Sequence, residues 1–271
     1  MKISIIIPIG DKAQWKECEK SIRAAIIHAS KDVEVEMLPC WDLEHKGAYL
    51  ARNEGLAKAT GEWIAWIDCD DVVEKCWLSE IEGAITDHPE VDIVQFEATE
   101  VRRGRTRPLV YRYQGMVDGD AFARELLRDD GMPAWMWTRV FRRSLFADLA
   151  FDGRVKQDYR MFLQILPRIK KVWSVGKPLY RYVRHGHGLS NYVQEMDYAK
   201  AGADFEELIA ALPMVWHKDA KMGLGLVMAD VVRHSHHENG ARHFVRKYVG
   251  LIVRDKTLPI RLKFKALLAC L

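Results

Sequence analysis

The first hundred residues alternate between two hydrophobic patterns. The continuous apolar run "ISIIIP" and the later runs "EWIAWI" and "VDIVQF" predict buried strands, and the strict alternation of "VEVEML" predicts a half-buried one. Apolar residues spaced by three or four from Trp15 to Ala29 predict an amphipathic helix. Two more helices are predicted, one in "GAYLARNEGLAKATG", with Gly61 as its C-cap, and one in "KCWLSEIEGAITDH". This order predicts a mostly parallel sheet with right-handed crossovers.

The rest of the chain is less regular. "RRGRTR" at residues 102–107 predicts a solvated turn, and "RYQGMVDGDAFARELLRDDG" predicts a loop leading into a helix. "DYRMFLQILPRI" has helical spacing, "KVWSV" predicts a strand, and "YRYVRHGHGLSN" predicts a loop. After residue 194 the pattern is helical. We therefore predict an α/β fold in three parts, residues 1–100, residues 101–194 and a helical extension over residues 195–271.

Composition narrows the class of protein. The 271 residues are 49% apolar and 29% charged, which are ordinary values for a soluble globular protein. The five cysteines are scattered and form no C-x-x-C pair, which argues against a disulfide framework or a zinc knuckle and indicates a reducing, cytoplasmic compartment. The first apolar run is too short for a signal peptide, and no run is long enough for a membrane span.

Basic charge is concentrated near the C-terminus. Residues 241–265 contain eight Lys or Arg and one acid, a net charge of +7 in a chain of net charge +3. Pro259 divides residues 241–271 into two amphipathic stretches, which predict contact with an anionic membrane at the inner face of the plasma membrane. A solvated helical face packed on the domain is the alternative. No nucleic-acid-binding module accompanies the charge, so we expect no nucleic acid partner.

Candidate chemistry lies in "GEWIAWIDCDDVV", where a predicted strand ends in three carboxylates, Asp68, Asp70 and Asp71. Ligands of parallel α/β sheets bind beyond the carboxyl ends of the strands. If the chain stays extended, Asp68 and Asp70 point to the same side, where two carboxylates suit Mg²⁺ or Mn²⁺ together with a phosphate. The alternative is an acidic loop in which Asp70 or Asp71 caps the next helix.

The motifs resemble a known family. "ISIIIP", "ARNEGLAKATGEWIAWIDCDD", and "FRRSLF" followed by "QDYRMFLQIL" resemble, in order and spacing, the family 2 glycosyltransferases, which have the GT-A fold. The resemblance covers residues 1–190. It implies a nucleotide-sugar-binding half before residue 100 and an acceptor-side half after it. It also implies a metal-dependent, inverting hexosyltransferase of cell-surface polysaccharide biosynthesis, with a UDP-sugar donor and a glycan or lipid-linked acceptor.

The resemblance assigns roles on the donor side. It places the metal, Mn²⁺ or Mg²⁺, on Asp70, with Asp71 supporting the loop. For two of the donor contacts named below, Arg52 and Asn53, the alternative is that their side chains are simply solvated on the helix surface. For Gly55 we expect no ligand contact but close packing of its helix on the sheet. The donor contacts that it implies in this part of the chain are Pro8, Arg52, Asn53 and Asp68.

Two departures from the family pattern concern the nucleobase. The family's Asp pair after the second strand is replaced here by Pro39 and Cys40, with Asp42 as a substitute donor contact. The aromatic residue and Asn that follow the first Pro are replaced by Ile9, Gly10 and Asp11. Uridine remains the expected nucleoside.

The resemblance also assigns a catalytic base. Inverting transfer needs a base for the acceptor hydroxyl, and the resemblance implies Asp158, preceded by Gln157 where the family has Glu. A helix N-cap is the alternative for Asp158.

A later loop and an aromatic segment complete the predicted site. The resemblance implies that His185, His187 or Arg184 in "RHGHG" reaches the metal or the leaving diphosphate, with an exposed polar loop as the alternative. Trp135 and Trp137 are predicted to stack on acceptor sugars, with buried core as the alternative.

Two other functions fit parts of the sequence. A nucleotidyltransferase of similar fold is one, although "PIGDKAQWK" lacks the Gly-rich basic loop that such an enzyme would normally show. A GT-A-like binding or scaffold protein without turnover is the other, because of the changes at Pro39, Cys40 and Gln157.

Overall fold

The computed structural model describes residues 1–44, 46–128, 134–153, 156–184, 197–234 and 239–271. They fall into two compact units built from interleaved segments. Unit 1 comprises Met1–Gly119, Trp135–Gly153 and Arg168–Gly186. Unit 2 comprises Asp120–Ala134, Arg154–Pro167 and His187–Leu271. Unit 1 contains the sheet and the apolar core beneath it, and unit 2 is helical where it is described.

Nine strands of the described residues form one sheet in unit 1. They are β1 (Lys2–Ile9), β2 (Glu34–Trp41), β3 (Trp63–Trp66), β4 (Val72–Val73), β5 (Ile93–Arg102), β6 (Arg105–Leu109), β7 (Gly115–Asp118), β8 (Arg139–Arg142) and β9 (Lys171–Val183). Their order is β2-β1-β3-β8-β5-β9-β4, with β6 on β5 and β7 on β9.

The central strands run mainly in one direction. β1 is parallel to β2 and β3, and β5 is parallel to β9. β8 lies between β3 and β5 and runs antiparallel to both, so β3 and β5 share one direction. The predicted α/β class with a mostly parallel central sheet is therefore confirmed.

Several strands, or parts of strands, were not predicted from the sequence. β7 lies in the segment predicted to lead into a helix, and β8 lies in the aromatic and basic segment for which no element was predicted. A strand of four residues contains too few alternations to be distinguished by pattern. β9 continues to Val183, so the first part of the predicted loop "YRYVRHGHGLSN" is a strand. The predicted turn at residues 102–107 is confined to Arg103 and Gly104, which both have positive φ, and β6 begins directly after it.

Three predicted helices belong to unit 1, namely α1 (Lys12–His28), α2 (Ala48–Lys58) and α3 (Trp77–Asp87). The Asp11 carboxylate caps α1 by accepting a hydrogen bond of 2.7 Å from the Ala13 amide. Cys18, Ile22 and Ala25 form the buried stripe of α1, as its spacing predicts.

Two glycines allow unusually close packing in unit 1. A Cβ atom on Gly55 would lie 2.3 Å from Cγ2 of Ile6, which confirms the predicted approach of α2 to the sheet. The prediction for Gly61 is wrong, because α2 is capped at Ala59. A Cβ atom on Gly61 would lie 2.6 Å from the backbone nitrogen of Ser4, so this glycine lets the chain enter β3 directly against β1.

Unit 2 confirms the predicted helical character of the C-terminal part. Its helices are α4 (Gly119–Leu127, beginning at the unit boundary), α5 (Gln157–Ile165), α6 (Tyr198–Ala210), α7 (His217–His234), α8 (Asn239–Arg254) and α9 (Ile260–Cys270). Pro259 precedes α9, so the two predicted basic stretches are separate helices. None of the described helices combines the length and the apolar composition that crossing a bilayer requires.

Candidate functional site

The three carboxylates after β3 lie on a turn. The Asp71 amide donates to the Asp68 carbonyl oxygen at 3.1 Å, which closes a turn over residues 68–71. We call these four residues the aspartate turn. The chain does not stay extended here, so strand alternation does not decide where Asp68 and Asp70 point. Both are half-buried, whereas Asp71 is buried.

Asp71 fastens the aspartate turn to β9. One carboxylate oxygen accepts from the Tyr180 hydroxyl at 2.8 Å, and the other accepts from the Val183 amide at 2.7 Å. The Tyr180 oxygen in turn accepts from the Asp68 amide at 3.2 Å. A buried tyrosine thus bonds to both ends of the turn and fixes its conformation. The capping alternative for Asp71 is wrong, because its carboxylate is used in this way.

Burial and like charge act together on Asp71. Burial, followed by the negative charges of Asp68 and Asp70, raises the pKa of the Asp71 carboxyl well above its ordinary value. Burial and the Asp71 charge also raise the pKa of the Tyr180 hydroxyl, so this hydroxyl remains a donor. The aspartate turn therefore concentrates negative charge in a poorly solvated place, which a cation would stabilise.

The side chains of Arg52 and Asn53 on α2 contact Asp68 and Phe151. A guanidinium nitrogen of Arg52 lies 3.5 Å from an Asp68 carboxylate oxygen, and the guanidinium lies over the Phe151 ring. Asn53 donates to the Phe151 carbonyl oxygen and accepts from the Phe151 amide, both at 2.7 Å. The alternative of simple helix-surface solvation is therefore wrong for both residues. Their contact with a donor stays a prediction.

Pro8 and Asp42 lie near the ends of β1 and β2. Pro8 is buried and faces Cys40 across the parallel pair. The Asp42 backbone amide donates to the Ile9 carbonyl oxygen. The two carboxylate oxygens of Asp42 accept from the backbone amides of Lys46 and Gly47, at 2.7 Å each. Asp42 thus shapes the entrance to α2, and its contact with a nucleobase stays a prediction.

Cys40 lies where the family pattern has an aspartate, but its thiol does not supply the negative charge of a carboxylate. Burial raises the pKa of the Cys40 thiol to about 11. Its sulfur would lie 3.1 Å from a Cβ atom on Gly55, so it fills space under α2.

Four aromatic rings form a stack in unit 1. Trp137 is stacked on Trp135, Tyr180 and Tyr182, with ring centroids 4.9, 4.7 and 5.1 Å apart. Trp137 is only 5% exposed, so it has no open face for a sugar and belongs to the aromatic core. This outcome is the alternative that the sequence left open. Trp135 and Tyr182 are half-buried, and acceptor stacking stays a prediction for Trp135.

Asp158 belongs to unit 2. It is the second residue of α5 and supplies the acidic side chain of the first helical turn. Lys156, in the left-handed conformation, holds the N-cap position, so the alternative of an Asp158 N-cap is wrong. The catalytic role of Asp158 stays a prediction. His185 and His187 lie outside the described residues, and so do their predicted contacts.

The aspartate turn offers ligands of the kind that Mg²⁺ or Mn²⁺ prefers. Such ions often take one or two protein carboxylates and complete their shell with water and phosphate. Within the described ranges, no three His, Cys, Asp or Glu side chains converge to form a complete protein cage. Two half-buried carboxylates beside a third that raises the local negative charge therefore fit an ion shared with a phosphate. The metal itself stays a prediction, with Asp70 as its first ligand.

Tyr180 and Tyr182 are the site residues that sequence reasoning missed. They fall in the segment predicted as a loop, yet the alternating "LYRYV" is typical of a strand with Tyr180 and Tyr182 on one face. That signal was available. Their partners in the stack and in the aspartate turn are remote in sequence and could not be inferred.

Known proteins resemble this chain in sequence and in fold. Residues 42–149, which include the aspartate turn and α2, match the model of the family described as glycosyl transferase family 2. EpsH from Bacillus subtilis (strain 168), which is named as a candidate glycosyltransferase, is 26% identical over 159 residues. The alignment covers 56% of this chain and 45% of EpsH, so this chain spans less than half the length of that relative.

Solved structures of TarS from S. aureus share the fold. TarS 1-349 in complex with UDP-GlcNAc has a TM-score of 0.56 at 12% identity, covering 99% of this chain and 79% of that chain. The complex with UDP has a TM-score of 0.55 at 14% identity, covering 96% and 76%. At such low identity the likeness concerns the fold, which is GT-A. The family model over residues 42–149, the relative and the fold all agree with the family 2 glycosyltransferases that the motifs resemble.

Proposed function

We propose that this chain transfers a sugar from a UDP-sugar to a hydroxyl group of a glycan or lipid-linked acceptor, with inversion at the anomeric carbon. The observation that carries the proposal is the aspartate turn, whose Asp71 is fastened by Tyr180 and Val183 while Asp68 and Asp70 remain half-buried. TarS has been solved with UDP and with UDP-GlcNAc, which supports a uridine nucleotide for this chain.

On the donor side, a few residues of unit 1 have separate roles. Asp70 would hold Mn²⁺ or Mg²⁺, which when bound neutralises the diphosphate as it leaves. Asp68 would face the ribose or the sugar, and Arg52, 3.5 Å from Asp68, would keep that carboxylate in place. Asp71 and Tyr180 hold the aspartate turn rigid, so that these groups are positioned before the donor arrives.

On the acceptor side, one displacement accounts for the transfer. The acceptor oxygen forms a bond to the anomeric carbon while the bond from that carbon to the diphosphate oxygen breaks, and its electron pair leaves with the diphosphate. The proton of the acceptor hydroxyl passes to Asp158, the proposed general base. A single displacement inverts the configuration at the anomeric carbon.

A donor screen tests the proposal. With Mn²⁺ and a mixture of glycan acceptors, we expect release of UDP from at least one UDP-sugar and slower or no release from GDP- and CMP-sugars. A nucleotidyltransferase would instead release pyrophosphate from UTP and a sugar 1-phosphate. A scaffold protein would bind UDP without turnover of any donor. Either of these outcomes would contradict the proposed transfer.

We also propose that α9 places the protein on an anionic membrane, which suits polysaccharide assembly at the inner face of the plasma membrane. Leu262, Ala266 and Ala269 form the buried stripe of α9. The opposite side exposes the apolar residues Ile260, Phe264, Leu267 and Leu268, and the exposed Leu271 follows the helix directly. Lys and Arg at positions 254, 256, 261 and 263 lie in and just before this helix. An outward apolar stripe among cations matches an interfacial helix.

Substitution of the exposed stripe tests this membrane contact. Phe264→Ser with Leu268→Ser is expected to lower binding to phosphatidylglycerol-containing liposomes at least about tenfold, because full burial of each side chain would contribute about 1.5–3 kcal/mol. Met214→Ser with Val215→Ser, also exposed, is the matched control and should bind as the unsubstituted chain does. Equal binding by all three proteins, or no liposome binding by the unsubstituted chain, would argue against the membrane proposal. Sedimentation with liposomes gives the measurement.

A further inference from the structure

Three arginines lie side by side across neighbouring strands of unit 1. Arg102 on β5 is directly opposite Arg105 on β6. On its other side, Val101 pairs with Val183 of β9, and the Arg184 amide donates to the Val101 carbonyl oxygen at 2.9 Å, so Arg184 follows beside Arg102. We call Arg105, Arg102 and Arg184 the arginine row. It ends directly after β9, the strand that holds the aspartate turn.

The charges of the arginine row are only partly compensated. Glu100, which is 7% exposed, pairs with Arg107 at 2.8 Å and with Arg184 at 3.3 Å. The surface groove at this place is lined by Glu100, Arg102, Arg105, Thr106, Arg107 and Arg184, four cations and one acid. Like charges directly opposite each other on adjacent strands destabilise the pair. An anion bound between Arg102 and Arg105 would relieve this repulsion.

The arginine row is continuous with the aromatic stack. Tyr182 pairs with Glu100 across β9 and β5. Because strand side chains alternate, Tyr182 lies on the same face as the row. Tyr182 is half-buried and stacks on Trp137, which in turn stacks on the half-buried Trp135. One face of the sheet therefore offers aromatic rings, which suit sugar rings, next to guanidinium groups, which bind phosphate or carboxylate in a bidentate manner.

We propose that the arginine row binds the acidic groups, phosphate or carboxylate, of an anionic polysaccharide. Its identification as the acceptor rests on the proposed function, whereas the binding of an anionic polysaccharide does not. A polymer is favoured over a small anion because the three arginines lie on β6, on β5 and directly after β9, and three adjacent strands span about 10 Å. The ends of the row are separated by two inter-strand spacings, so a chain with repeated charges can engage several arginines at once.

Binding of defined polysaccharides tests the proposal. The probes are polygalacturonate, which carries carboxylates, and phosphorylated dextran, with uncharged dextran of the same length as the reference. We expect the unsubstituted chain to bind at least one acidic probe, to bind it more weakly as the salt concentration rises, and not to bind uncharged dextran. The preferred probe distinguishes carboxylate from phosphate. Calorimetry or fluorescence anisotropy gives the dissociation constants.

A matched pair of double variants locates the binding. Arg102→Gln with Arg105→Gln removes two charges from the row and is expected to weaken binding of the acidic probe about tenfold or more. Lys16→Gln with Lys20→Gln removes two exposed charges from α1. This variant should change the dissociation constant of the acidic probe by less than about twofold, which is 0.4 kcal/mol. The Arg102 and Arg105 variant should unfold at the same or a higher temperature, because the cross-strand repulsion is gone.

Three outcomes would overturn the proposal. They are equal weakening in both double variants, no binding of either acidic probe, and tighter binding of single-stranded DNA of the same charge than of the acidic polysaccharides. Titration of UDP into the unsubstituted chain separates this result from the proposed function. If UDP does not bind while the acidic polysaccharide does, the glycosyltransferase proposal fails and the arginine row stands.

Discussion

Replacement of Asp158 by asparagine is expected to lower kcat for sugar transfer by about 10²- to 10⁴-fold, the usual contribution of a positioned general base. Asparagine has the same shape but cannot take the proton that the acceptor hydroxyl loses. UDP binding should be retained, because the proposed role of Asp158 concerns the acceptor alone. The measurement is kcat from nucleotide release at saturating donor, together with the dissociation constant of UDP from calorimetry.

A structural role for Asp158 predicts a much smaller effect. Asp158 lies in the first turn of α5, where a carboxylate interacts favourably with the helix dipole by about 0.3–1 kcal/mol. Loss of that interaction would lower the thermal midpoint by a few degrees and leave kcat nearly unchanged at a permissive temperature. Asp87→Asn, at an exposed position at the end of α3, is the control. Transfer by Asp158→Asn at the rate of the Asp87 variant would show that another group is the base.

The parts of the fold that could be predicted depend on local pattern. β1 is a continuous apolar run because both its faces are buried, and α1 has a buried stripe at Cys18, Ile22 and Ala25. Such periodicity is contained in the sequence itself. β8 could not be found in this way. It has four residues, two of them arginines, and is a strand because β3 and β5 bind it from both sides. That pairing is a long-range property.

The same difference between local pattern and long-range contact explains which parts of the site could be predicted. Asp68, Asp70 and Asp71 are contiguous, so their concentration of charge is visible in the sequence. The partner that fixes them, Tyr180, is 109 residues away from Asp71 and is reached only through the folded sheet. The extended chain considered for residues 68–71 does not form for a related reason, because the pairing of β4 with β9 and the bonds to Asp71 bring the chain into a turn.

The second large effect is expected from Asp70. Asp70→Asn keeps the size of the side chain but removes the charge that would hold Mn²⁺. Loss of an outer partner of a metal ligand commonly costs about 10- to 100-fold in metal affinity, and loss of a ligand itself should cost at least as much. We therefore expect Mn²⁺ to lose most of its ability to strengthen UDP binding. Near-ultraviolet circular dichroism should remain unchanged, since Asp71 and Tyr180 still hold the aspartate turn.

The most direct test of the account is the titration of UDP into the unsubstituted chain and into Asp70→Asn, each with and without Mn²⁺. We expect Mn²⁺ to tighten UDP binding to the unsubstituted chain at least about tenfold, or 1.4 kcal/mol, and to leave binding to Asp70→Asn almost unaffected. An equal gain from Mn²⁺ in both proteins would contradict it, because the aspartate turn would then hold no ion for the donor.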